Sequence, residues 1–123
     1  MSFNVEAFAA YKRANEAFAE TIALDLKDGD QVWVHDIHLM LLPLLLRQQA
    51  QKKDIKIRIG WFLHTPFPAK DFFNTLPFKT DILKGILGAD VVGFQTDEDR
   101  SHFASTCSDI LYGHHSVDTT CIQ

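Results

Sequence analysis

Gln31-Val32-Trp33-Val34-His35-Asp36-Ile37-His38, together with Ile55 to Pro68 (IKIRIGWFLHTPFP), decides the reading of this chain. In each stretch a short apolar run ends in a polar cluster. Val32, Trp33 and Val34 lead into His35-Asp36, and Ile57, Ile59, Trp61, Phe62 and Leu63 lead into His64. Short runs rich in β-branched and aromatic residues read as buried strands. In an open parallel α/β sheet, ligands bind just beyond the carboxyl ends of the strands. Two polar clusters at successive strand ends therefore face one crevice and point to a small-molecule site.

The flanking sequence is helical. Phe8, Tyr11, Phe18, Ile22 and Leu26 recur at helical spacing, and Gly29 stands where a residue just past a helix end is expected. Gln31 to His35 reads as the first strand. A second helix begins near Leu39, with Pro43 in or near its first turn, where a missing N–H is tolerated, and runs out between Gln48 and Asp54. Ile55 to Leu63 reads as the second strand. Thr65-Pro66-Phe67-Pro68 is a rigid loop, since two prolines remove donors and restrict their predecessors. A short helix over Asp71 to Leu76 and a better one over Thr80 to Leu87 follow. Val91 to Phe94 is the third strand, and Thr96 with Asp99 forms a capping box for a helix through Phe103. The order α-β-α-β-α-β-α is that of a parallel sheet covered by helices. After Cys107 no period is legible, so residues 108–123 are expected to form a loose tail.

Composition bounds the function. With 123 residues, 46% of them hydrophobic, the chain can build one domain core. A formal charge of −4 gives no electrostatic case for nucleic acid or an anionic membrane. The most apolar run, Leu39 to Leu46, holds Pro43 and falls short of the ~20 residues of a membrane span. The start, Met-Ser-Phe-Asn, has no signal-peptide pattern. Cys107 and Cys121 read as reduced thiols in a cytoplasmic protein.

The polar residues leave several chemistries open. His35, Asp36, His38 and His64 are metal-ligand types, but their spacing is no metal signature, and no metal is expected. His35 and His38 also fit as buried histidines bonding backbone groups at the turn, a reading preferred for His38. Asp36 either caps the following helix or accepts hydrogen bonds from sugar hydroxyls. His64 either stabilises its loop or donates to a ligand oxygen. The sequence holds no Gly-x-Ser-x-Gly elbow, no Gly-x-Gly-x-x-Gly and no Walker loop, so it has no phosphate cradle of a recognised kind. No cofactor is expected.

Val32-Trp33-Val34-His35-Asp36-Ile37-His38-Leu39 resembles the His-Asp-Tyr-His-Leu segment of the trehalose-6-phosphate synthase family. Gly60 to Pro68 (GWFLHTPFP) resembles that family's Phe-Leu-His-Thr-Pro-Phe-Pro segment. Leu76-Pro77, Ile82-Leu83-Lys84-Gly85, Gly88 to Phe94 and His102-Phe103 follow in the family's order. Ala10 to Asn15 is similar to its Tyr-x-x-Ala-Asn stretch. The resemblance runs from about residue 3 to residue 107, and several collinear motifs together are specific. Ile37 stands where the family has Tyr, and Gln95 to Ser101 depart from its pattern.

The resemblance implies a partial Rossmann-like parallel sheet flanked by helices, with residues 1–107 part of the amino-terminal domain of a two-domain (GT-B) glycosyltransferase. It implies a retaining enzyme of trehalose biosynthesis that moves glucose from UDP-glucose to glucose 6-phosphate, giving α,α-trehalose 6-phosphate and UDP. Asp36 matches the residue that binds hydroxyls of glucose 6-phosphate. His64 matches the histidine that contacts the donor glucose near the reacting centre, and so carries the catalytic assignment. No protein carboxylate attacks covalently in this family. The donor phosphate helps deprotonate the acceptor, while basic residues steady the leaving UDP. The family's glycine-containing donor loop and UDP-binding Arg and Lys have no counterpart in residues 1–123, so the isolated chain is expected to be inactive. The alternative is a non-catalytic paralogue that binds a sugar phosphate or joins other subunits of a trehalose synthase complex.

Overall fold

The computed structural model describes residues 5–68, 73 and 76–111. Within them the expected alternation is present: α1 (Val5–Ala23), β1 (Gln31–His35), a 3-10 turn (Ile37–Leu39), α2 (Leu42–Lys52), β2 (Arg58–Leu63), α3 (Lys79–Ile86), β3 (Val91–Phe94) and α4 (Asp97–Leu111). The strands are parallel in the order β1-β2-β3, with Val34 beside Trp61 and Trp61 beside Val92. This is the α/β class with a parallel sheet that the sequence implies.

The strand pleat sorts the sheet into unlike faces. Val34, Ile59, Trp61, Leu63, Val92 and Phe94 are buried, and they form one core with Leu42, Leu46 and Ala50 of α2, Ile82, Leu83 and Ile86 of α3, and Phe103 and Cys107 of α4. The alternate residues Gln31, Trp33, His35 and Arg58 are exposed, Trp33 to 58%. Purely parallel sheets are usually covered on both faces; among the described residues this one is covered on one. Its bare face is levelled by aromatic rings lying across glycines of the neighbouring strand. A Cβ on Gly60 would meet the Trp33 ring at 2.4 Å, and one on Gly93 the Phe62 ring at 2.5 Å. Among the described residues both β1 and β3 are edge strands.

Several boundaries differ from the sequence reading for identifiable reasons. Helix α1 ends at Ala23, before Leu26, and Gly29 serves a later loop at φ 90, its N–H bonded to the Lys56 carbonyl at 2.7 Å. Phe18 is 53% exposed, and the buried stripe of α1 runs instead through Phe8, Asn15, Ala19 and Ala23. Pro43 does lie in the first turn of α2, but that helix starts three residues after the 3-10 turn ends. The second strand starts at Arg58 because residues 54 and 55 finish α2. Asp54 N–H bonds the Gln51 carbonyl and Ile55 N–H that of Ala50, with Asp54 at φ 55, the left-handed helix-closing motif.

The capping box is half formed. The Thr96 hydroxyl accepts the Asp99 N–H at 3.1 Å, but the Asp99 carboxylate turns away to accept the buried Phe67 N–H at 3.2 Å. Helix α4 then runs past Phe103 and past the expected boundary at 107, with Ile110 and Leu111 packed against the core. Residues 112–123 lie outside the described residues, as does the expected helix at 71–76 apart from Phe73 and Leu76.

Candidate functional site

At the carboxyl end of β1 the Asp36 N–H bonds the Phe62 carbonyl at 3.0 Å, extending the ladder by one rung. The chain then turns sharply, with Asp36 at φ 67, ψ −178. That region is essentially reserved for glycine, and a side chain held there costs about 1–3 kcal/mol. Asp36 precedes the 3-10 turn without a side-chain capping bond. Its carboxylate reaches across to the next strand, where Oδ1 accepts the His64 N–H at 2.9 Å. This bond joins the two polar clusters that the sequence placed at successive strand ends. The second carboxylate oxygen has no partner among the described residues and is available as an acceptor.

The imidazoles converge as well. His35 Nδ1 and His64 Nε2 lie 3.0 Å apart. The Phe62 ring flanks His64, with 4.8 Å between centroids. Both histidines are exposed. The expectation of a buried His35 bonding backbone groups is thus replaced by an exposed imidazole pair, because β1 turns this residue to the uncovered face. His38 is also exposed; the 3-10 turn directs it outward, and its backbone carbonyl is the atom that is held.

Two residues of α1 hold that turn. Tyr11 donates its hydroxyl proton to the Ile37 carbonyl at 2.6 Å and accepts the Met40 N–H at 2.8 Å. Asn15, fully buried, donates from Nδ2 to the Tyr11 carbonyl at 2.9 Å and to the His38 carbonyl at 3.1 Å. Burial pushes the Tyr11 hydroxyl up to about 12, against the opposing pull of the Met40 N–H and of Asn15. Sequence periodicity reads Tyr11 as core and gives Asn15 no role. The available signal was a polar residue one helical turn from Tyr11 on the buried stripe, which needs a partner from another element.

The second wall is equally fixed. Phe67 sits with its ring centroid 5.4 Å from Phe73, 6.2 Å from Phe94 and 5.3 Å from Phe103, and its N–H is held by Asp99. Thr65 and Pro66 are thereby carried on an anchored loop beside His64. Grooves of about 330 Å³ between α1, α2 and α3 and about 210 Å³ on the bare sheet face do not include Asp36 or His64. The site is, among the described residues, an open ledge. Among the described residues no three His, Cys, Asp or Glu side chains converge as ligands for a metal. Cys107 is buried and free, its thiol pushed up to about 12 by burial, and takes no part. Among the described residues no helix is long and apolar enough to cross a membrane.

Comparison with known proteins fits this arrangement. The model of glycosyltransferase family 20 matches residues 1–122. The chain is 48% identical over 112 residues to a UDP-forming alpha,alpha-trehalose-phosphate synthase of Pichia angusta, a match covering 90% of this chain and 24% of that protein. Among solved structures it is similar to the N-terminal domain of a trehalose-6-phosphate phosphatase of Candida albicans, at 42% identity and a TM-score of 0.81, covering 86% of this chain and 22% of that one. It is also similar to an E. coli protein described as trehalose-6-phosphate bound with UDP-2-fluoro glucose, at 35% identity and a TM-score of 0.81, covering 89% of this chain and 24% of that one. The chain spans about a quarter of the length of the curated relatives it matches. With the family model matched across nearly all of its sequence, the chain belongs to glycosyltransferase family 20.

Proposed function

We propose that this chain forms one wall of the sugar cleft of a trehalose-6-phosphate synthase acting in the cytoplasm. The reaction is retaining transfer of glucose from UDP-glucose to glucose 6-phosphate, giving α,α-trehalose 6-phosphate and UDP. Residues 1–107 are part of the amino-terminal domain. Asp36 takes hydroxyls of glucose 6-phosphate, and His64 contacts the donor glucose beside the reacting centre. Association with other subunits of a trehalose synthase complex is the finer partner reading, and the bare sheet face offers surface for it.

The observation that supports the proposal is the 2.9 Å bond from the His64 backbone N–H to the Asp36 carboxylate, which ties together the two adjacent strand ends that carry these side chains. The strain at Asp36 supports it, since a glycine there would be easier to fold. The isolated chain supplies no turnover. Holding donor, acceptor and anomeric carbon in register is worth ~7–11 kcal/mol of barrier, and an open ledge cannot do that alone.

Grafting tests the reading. The matching segment of the Pichia angusta synthase is replaced by residues from this chain, and release of UDP and trehalose 6-phosphate is followed together. The graft should turn over, and Asp36→Ala within it should lose transition-state stabilisation of ~1.5–3 kcal/mol, the worth of a hydrogen bond to a charged group. A graft that folds and binds but does not react would overturn the proposal. The isolated chain with UDP-glucose and glucose 6-phosphate should show no more product than its His64→Ala variant. Clear turnover above that control would make the rest of the enzyme dispensable.

A further inference from the structure

We infer that His35 is a positioning residue: its Nδ1 holds His64 in the Nε2–H tautomer, so that His64 offers a bare Nδ1 to a sugar hydroxyl rather than a donor to a phosphate oxygen. This deepens the proposed function and rests on it for the identity of the ligand, though not for the tautomer.

The 3.0 Å approach of His35 Nδ1 to His64 Nε2 carries the inference. With both rings neutral, one nitrogen donates and the other accepts, since two lone pairs or two N–H groups at that distance repel. Two arrangements satisfy this. If His35 donates from Nδ1, His64 keeps Nε2 bare and carries its proton on Nδ1, which puts both rings in the Nδ1–H form. If His64 donates from Nε2, His35 accepts on Nδ1 and carries its own proton on Nε2, which puts both rings in the Nε2–H form. An unconstrained histidine side chain in water prefers Nε2–H. Both rings are exposed, and neither has a second hydrogen bond among the described residues to override that preference. The second arrangement meets the preference of both rings and the first opposes both.

The surroundings leave this choice in place. Phe62 packs beside His64 and offers its ring no polar atom. Asp36 Oδ1 is engaged by the His64 backbone N–H, which fixes where the ring is attached. The remaining ring nitrogen of His64, Nδ1, is then an acceptor only. It accepts a hydrogen bond from a hydroxyl and opposes a phosphate oxygen lone pair to lone pair. With the free oxygen of Asp36 at the adjoining strand end, the ledge offers acceptors that suit the hydroxyls of a neutral sugar ring, so a phosphate group must lie away from His64.

Long-range proton–nitrogen correlation of the imidazoles, on the uniformly 15N-labelled 123-residue chain with its histidines neutral, tests this. His35 and His64 should each show one form, with Nε2 protonated and Nδ1 bare. The exposed His38, which has no such neighbour among the described residues, should show both forms in exchange. His35→Ala should bring His64 to the His38 pattern. His35→Asn, whose side-chain oxygen can replace Nδ1 as acceptor, should keep the single form. A bare Nε2 on His64, or a His64 pattern like that of His38, overturns the inference, and so does His35→Asn behaving like His35→Ala. Glucose should shift the His64 Nδ1 resonance and inorganic phosphate should not; the reverse overturns the choice of ligand. The expected tautomer with no shift from either probe would overturn the ligand assignment alone and leave the positioning role standing.

Discussion

The two ends of the sheet are built from similar residues and use them differently. At the amino end, Arg47 ties α2 to the loops that enter β2 and β3, donating to the Ile57 carbonyl at 2.9 Å, the Gly88 carbonyl at 3.2 Å and the Asp90 carboxylate at 2.7 Å. The same Asp90 oxygen accepts the Ile59 N–H at 2.8 Å, and Asp28 accepts the Lys56 N–H at 2.7 Å. Charged groups there are consumed by backbone partners. At the carboxyl end, Asp36 spends one oxygen on His64 and keeps the other, while two imidazoles lie in the open. Each end also holds an aspartate at positive φ: Asp54 at 55 and Asp36 at 67. The amino end binds the fold together; the carboxyl end is arranged for something the fold does not need.

Arg47→Ala should give the largest effect on stability. It strips partly buried carbonyls of a charged donor, and loss of such bonds costs about 2–4 kcal/mol in urea unfolding. His64→Ala should cost under about 1 kcal/mol, because the ring is exposed. Comparable losses for the two variants would break the contrast. Acid titration sharpens it. Burial opposes ionisation of Asp90, but the Ile59 N–H and the Arg47 guanidinium outweigh it and hold its carboxyl below the usual 3.8. A carboxyl lowered on folding contributes stability above its unfolded pKa and loses it as pH falls through the folded value. Asp90→Asn should therefore flatten the acid limb of the stability curve below about pH 4, and an unaltered limb would count against the clamp.

Asp36 permits a test of strain against contact. Asp36→Ala loses the bond to His64 and keeps the strained backbone, whereas Asp36→Gly loses the bond and relieves the strain. The glycine variant should be the more stable of the two by about 1–2 kcal/mol, after allowing for the freedom glycine gains when unfolded. Both should lose sugar binding. A glycine variant less stable than the alanine one would mean the backbone at Asp36 is not strained.

Tyr11 tests the support beneath the ledge. A tyrosine raised on folding contributes stability in full below its unfolded pKa and loses it as pH rises through the folded value. With Tyr11 moved from 10.0 to about 12, stability should decline across that window, and Tyr11→Phe should remove the decline. Tyrosinate absorbance should show the late ionisation in the native chain and lose it in the variant.

What was legible in the sequence follows the same division. Gln31–His35 and Val91–Phe94 match their strands to the residue, since each is a short run rich in β-branched and aromatic residues bounded by polar stops. The meeting of Asp36 with His64 was legible because parallel strands bring successive carboxyl ends together. Three features were not. The start of β2 was hidden because Ile55 and Ile57 are apolar for the sake of closing α2 and filling the core, not for pairing. The end of α4 was hidden because its buried stripe passes through Thr106 and Cys107, residues that give little periodic signal. The imidazole pair was hidden because strand alternation sends His35 to a face that the sequence alone would expect to be covered.

The smallest expected effect separates the two aspartates themselves. Asp54 lies in the left-handed helical region, at the position just past the end of α2 where glycine is commonest and short polar side chains are tolerated. Asp36 lies in a region that only glycine enters freely. Asp54→Gly should therefore stabilise the chain by no more than about 0.5–1 kcal/mol, much of the relief being offset by the entropy glycine carries into the unfolded state. Asp54→Ala should cost a similar amount, since alanine enters the left-handed region less readily than a short polar side chain does. The difference between glycine and alanine should thus be larger at Asp36 than at Asp54 when both pairs are measured in one urea series. Equal differences would place both aspartates among ordinary turn residues. The strain at the ledge would then have no claim to a purpose beyond the fold.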